Sequence, residues 1–459
     1  MTTPTDHPAP SPASVARSTS QPPGPSAAQD RLDRRRALTG GITGYFVDQF
    51  DIYVPVIALA PAMAYFIPAG LDAGTATIIG AFIFTATLIG RPLGAMIFGL
   101  VADRTGRRRA TIIAMAGIAV TTFLIALLPG YSTLGVWAVA LLIVLRMLDG
   151  VFLGGEYTAA IPLAMEWSPQ HRRGLASGWI TMSAPLALAL ISLMTLGLLQ
   201  VFPSGSAESA YAVWGWRIPF VIGALLAVAT LYYFVKYVPE SEGGQSTTAP
   251  AARVSPLREL FLGAQRSSLL QVFVLMTGVW VVLNLTVSVV PGLAQAAGGL
   301  SATQLTVALS IASMISAVTY PPAGILSQRI GRRPFYIGAG LLVAVVGGGT
   351  VAVLARSEGL GFWPTTALLS VAFTVGILAF GPIAAYMTER FPAALRATGY
   401  GIGYSLALVV PAFFAYYLLG LEAFVGTELA PAVLFTLGGL LTVVGAWLGP
   451  ETRDVDMSL

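Results

Sequence analysis

Six ionisable residues fall in stretches that are otherwise apolar: Asp48 and Asp51 in "GYFVDQFDIYVPVIALAPAMAYF", Arg91 in "RPLGAMIFGL", and Arg146, Asp149 and Glu156 in "RMLDGVFLGGEY". A carboxylate at the centre of a bilayer costs roughly 2.5–3.5 kcal/mol even on the lenient insertion scale, so charges kept there pair with one another and mark ion or proton pathways. The chemistry open to this set is proton transfer linked to ion pairing. A carboxylate beside a guanidinium holds its charge, whereas one separated from it in apolar surroundings takes up a proton, so protonation and breakage of the pair are linked. A released arginine can then bind the carboxylate of a small molecule, bidentately where geometry allows.

At 100° per residue, Arg146, Asp149 and Glu156 fall within about an 80° arc of one helix, and Asp48 and Asp51 lie about 60° apart on another. Each helix therefore turns its charges to one face, which lipid cannot solvate. Rise per residue puts Asp48 and Asp51 roughly 15–20 Å, and Arg91 roughly 18 Å, from the same membrane face. The expected pairs are Asp51 with Arg146 and Asp48 with Arg91, and the carboxylates outnumber the arginines, so Asp51 or Glu156 is expected to carry a proton. The competing role for Arg146 and Asp149 is to cement helix contacts, and for Glu156, between Gly155 and Tyr157, a structural hydrogen bond. Gln49, Tyr53, Asn284, Tyr386 and Tyr404 are possible substrate contacts, with ordinary packing as their alternative.

The elements that position these residues follow from composition. The chain has 459 residues, 56% hydrophobic and 10% charged, with a mean hydropathy of +0.77, more apolar surface than one water-soluble core could hide. About 20 mostly apolar residues cross a bilayer, and such windows fall at 38-67, 74-102, 109-129, 134-163, 173-201, 213-238, 268-293, 303-327, 334-355, 362-388, 395-421 and 429-449. The expected fold is therefore an all-α integral membrane protein of twelve transmembrane helices. Residues 1-37, rich in Pro, Ser and Ala, are expected to form a disordered cytoplasmic tail. A polar linker at 239-265 divides six helices (38-238) from six (266-450), and 451-459 forms a short tail.

Arginines gather in alternate loops, in "RTGRRR", "HRR", "RIGRR" and at Arg253, Arg258, Arg266, Arg390 and Arg396. That places these loops and both termini in the cytoplasm. The net charge of +4 is thus a topology signal, and nucleic acid is not an expected partner. There are no cysteines, and the two histidines, His7 and His171, lie in polar segments. Thiol chemistry and a histidine proton relay inside the membrane are excluded, and no metal or cofactor is predicted. No nucleophile–base set and no glycine-rich nucleotide loop is present, so neither an enzyme nor ATP-driven pumping is expected.

The halves repeat. "GLVADRTGRRRAT" at Gly99 returns as "GILSQRIGRRPFY" at Gly324, "EWSPQHRRG" at Glu166 as "ERFPAALRA" at Glu389, and "PES" at Pro239 as "PET" at Pro450. With six spans between copies, this is a parallel repeat about an axis along the membrane normal. Paired ions suit a gate that must close firmly yet break. Asp103, Arg104, Gly106, Arg107 and Arg108 are expected to face Glu166 and Arg173 of the same half, and Gly331, Arg332 and Arg333 to face Glu389 and Arg396 of the other. The competing reading makes these arginines topology anchors only.

Gly-x-x-x-Asp-Arg-x-Gly-Arg-Arg at Gly99 to Arg108, its partner after span 8 and the two Glu/Arg loops resemble the cytoplasmic signature of the major facilitator superfamily. "RPLGAMIFGLVADRTGRR", "RMLDGVFLGGEY", "EWSPQHRRG" and "GWRIPFVIGALLA" further resemble its metabolite:proton symporters, which carry small organic acids and zwitterions. The resemblance implies two pseudo-symmetric six-helix bundles and a coupling pair made by a span 1 acid and a span 4 arginine. Two positions depart from it: Asp48-Gln49-Phe50-Asp51 stands where Glu-Trp-aromatic-Asp is usual and resembles the aromatic-acid symporters, and Gln328 replaces the repeat's Asp103. Proton-coupled symport of a small organic acid or zwitterion is expected. A proton-driven exporter and a non-transporting sensor are the alternatives. Arg outnumbers Lys 24 to 1, as in a GC-rich bacterial genome, so a monomer in a bacterial cytoplasmic membrane is expected.

Overall fold

A computed structural model describes residues 27–68, 73–240 and 255–457, in which all regular secondary structure is helical. The first bundle comprises α1 (Ala27–Ile57), α2 (Ala73–Thr105), α3 (Arg107–Ala126), α4 (Val136–Glu166), α5 (Gln170–Val201) and α6 (Tyr211–Tyr237). The second comprises α7 (Arg266–Gly298), α8 (Ala302–Ile330), α9 (Arg332–Arg356), α10 (Phe362–Glu389), α11 (Ala393–Val425) and α12 (Ala430–Trp447). Eleven segments among the described residues are long and apolar enough to cross a membrane. The twelfth, α1, differs because its 31 residues carry four arginines and four aspartates.

Glycines set the tightest contacts. Gly90 and Gly94 of α2 lie on the α4 backbone at Met147 and Val151, and Gly150 and Gly154 of α4 lie on the α2 backbone at Thr87 and Arg91. This reciprocal four-residue spacing lets two membrane helices approach backbone to backbone, and it brings Arg91 beside Glu156 and Thr87 beside Arg146. The bundles meet along two symmetry-related seams, α2 with α11 and α5 with α8. Gly99 touches Thr398 in one seam, and Gly174 and Gly324 abut backbone to backbone in the other. At Gly381-Pro382, α10 breaks, and the Gly381 carbonyl, which the break leaves without a helical partner, accepts from Ser177 Oγ of α5 at 2.7 Å. Irregular backbone at this depth is tolerated where protein supplies the hydrogen bond.

The structure departs from the sequence reading at three boundaries. Residues 27–37 continue α1 as helix instead of belonging to a tail: Asp30 stands in the first turn, where a carboxylate is favoured, and Asp33 pairs with Arg36 one turn apart; residues 1–26 of the expected tail lie outside the described residues. Pro256–Leu262 forms a short helix inside the expected linker; residues 241–254, with Arg253, lie outside the described residues. The C-terminal segment 451–457 is no free tail: Met457 is buried, and its neighbours bond to the gate described next.

Candidate functional site

The six charges form two clusters on one flank of α1. In the first, Arg146 Nη1 donates to Asp51 Oδ2 and to Asp149 Oδ2, each at 3.0 Å, and Nε to Thr87 Oγ1 at 3.1 Å. Thr122 donates to the other oxygen of Asp51 at 2.7 Å and Thr121 to that of Asp149 at 2.8 Å. Every carboxylate oxygen of this cluster thus has a donor, the condition for burying charge. The second cluster is looser. Arg91 Nη2 reaches Asp48 Oδ2 at 3.4 Å and its guanidinium carbon lies 4.9 Å from the centre of the Tyr157 ring. Asp48 Oδ1 and both oxygens of Glu156 are buried without a hydrogen-bond partner, and the Glu156 carboxyl lies against Gly44, where a larger residue would collide with it.

Both clusters are enclosed between helices of the first bundle, with Asp48 on Arg91 and Asp51 on Arg146, and none of the six charged residues lines the central cavity. Helical geometry explains this: Tyr45, Gln49 and Tyr53, four apart, form the cavity-facing stripe of α1, while Asp48 and Asp51 point toward α2, α3 and α4. The central cavity is nearly closed, with a volume of about 20 Å³, and is walled largely by aromatic rings from both halves, with Gln49 and tyrosine hydroxyls among its polar groups. Trp280 and Tyr404 oppose Tyr45, whose hydroxyl lies 3.1 Å from that of Tyr404. Of the possible contacts, Gln49, Tyr53 and Tyr404 line the cavity and Asn284 does not. Tyr386 is also elsewhere, accepting from Gln271 Nε2 at 2.8 Å near the arginine-rich loops. Tyr45, Trp280, Tyr320 and Phe380 were not singled out by sequence; the four-residue stripe running through Gln49 was the signal for Tyr45.

Gln49 joins cavity and charge. Its Nε2 donates to Asp48 Oδ2 at 2.8 Å while the residue forms part of the cavity wall. Tyr157, stacked on Arg91, carries the connection onward, because its hydroxyl contacts Ser405 Oγ of α11 across the interface between halves.

The arginine-rich end is sealed. Glu166 binds Arg107 of its own half and Arg396 of the other, the latter at 2.6 Å. Arg332 donates to both oxygens of Glu389 at 3.0–3.1 Å. Asp103 does not face Glu166 and Arg173, as expected, but crosses the seam: it accepts from Ala397 N at 3.1 Å, Thr398 N at 3.0 Å and Thr398 Oγ1 at 2.6 Å, at a helix start where an anion is favoured. Its repeat partner Gln328 accepts from Gly174 N at 3.1 Å. Arg104 is exposed, and the Arg108 and Arg333 side chains bond backbone carbonyls, Val235 and Trp447, outside the gate. Gly106 and Gly331, with φ of 102° and 104°, make turns only glycine adopts freely; Glu240 and Glu451 accept from the backbone amides that follow. The two "P-E-S/T" motifs are thus caps. The C-terminal segment ties across both halves: Arg173 donates to Val455 O at 2.7 Å, Arg396 to Met457 O at 3.0 Å, and Thr452 Oγ1 to Glu389 at 2.8 Å.

The Major Facilitator Superfamily family model matches residues 41–416. The chain belongs to the major facilitator superfamily. It is a multi-pass membrane transporter of that superfamily, similar to an inner-membrane metabolite transport protein of Escherichia coli (28% identical, 92% of this chain and 95% of the relative covered). It is also similar to the Escherichia coli alpha-ketoglutarate permease (29%; 82% and 84%) and shikimate transporter (27%; 91% and 95%). Among solved superfamily structures, the proton:xylose symporter XylE bound to 6-bromo-6-deoxy-D-glucose superposes with a TM-score of 0.71 over 94% of this chain and 98% of that chain, at 19% identity, a likeness of fold.

Proposed function

We propose that this protein is a proton-coupled symporter that imports a small organic acid or zwitterion by alternating access, as a monomer in a bacterial cytoplasmic membrane, with the arginine-rich end and both termini in the cytoplasm. The observation that carries the reading is the position of Gln49, with its amide both at the cavity wall and on Asp48. A substrate that takes the Gln49 amide withdraws a donor from Asp48, shifts the load onto Arg91 and disturbs α1. Three residues on, Asp51 is the proton carrier. Because Arg146 holds Asp149 at the same 3.0 Å, protonating Asp51 leaves the arginine paired instead of stranded, and the pair can break at modest cost. Glu156, with no donor on either oxygen, suits the neutral acid and serves as a fixed packing group.

The gate closes on the cytoplasmic side in this state, so the Arg91–Tyr157–Ser405 chain gives the charge clusters a route to the interface that must part. The family resemblance, which implies a coupling pair of span 1 acid and span 4 arginine, supports the same assignment. Liposomes with an imposed pH gradient test it against labelled monocarboxylates, dicarboxylates, aromatic acids and betaines. Accumulation driven by an inwardly directed proton gradient is expected for one class; accumulation indifferent to collapse of the gradient sinks the reading, and movement against the proton flow identifies an exporter.

A further inference from the structure

At the arginine-rich end, outside both the gate and the central cavity, the first three turns of α1 and the α4–α5 turn enclose a groove of about 770 Å³. Arg31, Arg34 and Arg35 line it from α1 and Arg172 from the turn, with Trp167 and Trp179 among its apolar walls, and no acidic side chain faces it among the described residues. Of the two acids in this stretch of α1, Asp33 is turned to Arg36 at 3.1 Å, and Asp30, next to Arg31 in sequence, does not line the groove. Arg31 uses only its Nε, on Ala27 O, and among the described residues no ion pair holds Arg34, Arg35 or Arg172. All four are exposed, so together they present a concentrated positive patch that attracts anions.

Two further features narrow the occupant. The groove is amphipathic along its length: past the arginines it runs onto Leu38 and Leu175, where α1 and α5 enter their apolar spans, and Trp179 remains 44% exposed. An inorganic anion would fill the charged mouth and leave this apolar floor bare. The Trp167 indole N–H is buried with no acceptor, a vacancy that an ester or phosphate oxygen would fill.

We propose that the groove binds one anionic phospholipid of the adjoining leaflet, its phosphate among Arg31, Arg34, Arg35 and Arg172 and an acyl chain against Leu38, Leu175 and Trp179. Basic pockets at the cytoplasmic ends of membrane helices suit such headgroups, and interfacial tryptophans suit the boundary itself.

The test is native mass spectrometry of the full chain in detergent, titrated with phosphatidylglycerol or phosphatidylcholine. One phosphatidylglycerol should be retained in preference to phosphatidylcholine. Retention should fall with added salt and weaken by about tenfold or more in the R31Q/R34Q/R35Q/R172Q variant, in line with the usual effect of each basic residue at an anionic surface. Equal retention by variant and parent, no preference between the lipids, or displacement by millimolar inorganic phosphate would each overturn the proposal. So would phosphatidylglycerol binding only after residues 1–26 are removed, since the groove would then belong to the chain's own N-terminal segment. Should the quadruple variant not fold, quenching of tryptophan fluorescence by brominated phosphatidylglycerol replaces it. Quenching that is reduced in Trp179→Phe and in Arg172→Gln supports the site, and quenching unchanged in both rejects it.

Discussion

Gln49 Nε2 lies 2.8 Å from Asp48 Oδ2, and the two residues stand on opposite sides of the wall between the central cavity and the buried charges. Gln49→Leu keeps the bulk and removes the donor. Its expected effect is a several-fold rise in the substrate KM together with a changed pH profile of uptake. A KM change with an unaltered pH profile would make Gln49 a cavity contact with no link to Asp48.

Asp51→Asn should abolish accumulation against a gradient while exchange of labelled for unlabelled substrate persists, because the asparagine cannot carry the proton but Arg146 keeps Asp149. Its thermal stability should remain within about 1 kcal/mol of the parent. Arg146→Gln differs in kind: it leaves two buried carboxylates without their common cation and should cost about 3–5 kcal/mol, read as a large fall in Tm in detergent. Accumulation that survives Asp51→Asn moves the proton to another group.

Glu156→Gln should retain both accumulation and stability, since neither Glu156 oxygen accepts a hydrogen bond that the amide would forfeit. Uncoupling by this change would instead make Glu156 the carrier.

Asp103→Ala removes three hydrogen bonds across the α2–α11 seam, and charge-assisted bonds of this type contribute about 1.5–3 kcal/mol each. The closed population of the arginine-rich end should drop. The chain contains no cysteine, so spin labels on Arg104→Cys and Ala394→Cys, both exposed, report the seam directly. The expected result is a broader, longer distance distribution in the Asp103→Ala background.

Ending the chain after Thr452 should act in the same direction, because Arg173 and Arg396 lose the Val455 and Met457 carbonyls. An unchanged distance distribution would make the C-terminal segment passive packing.

Much of this arrangement is legible in one dimension because lipid is an unforgiving solvent. Apolar length marks the spans, and the six misplaced charges mark a network. Depth supports the pairing of Asp48 with Arg91, whereas that of Asp51 with Arg146 follows from the charged faces of α1 and α4 and from the family resemblance. What sequence does not give is the rotation of α1. Asp48 and Gln49 are neighbours in the chain yet face different compartments, and which stripe meets the cavity depends on the glycine contacts that draw α2 and α4 together. Tyr386 went astray for a related reason: a tyrosine in an apolar span looks the same at the cavity as at the gate, and only Gln271 and Arg390, brought from other positions, distinguish them. The crossing of Asp103 to the opposite half is likewise hidden, because two of its three donors are backbone amides, which leave no mark in sequence.

Asp103 and Gln328 occupy equivalent places in the repeat, but one is charged and holds three donors where the other is neutral and accepts from Gly174 N alone on the facing half. Ionic hydrogen bonds are roughly twice as strong as neutral ones. At this pair of equivalent positions the α2–α11 seam is therefore held by the stronger set of bonds, a difference between the two seams made by a single replaced side chain.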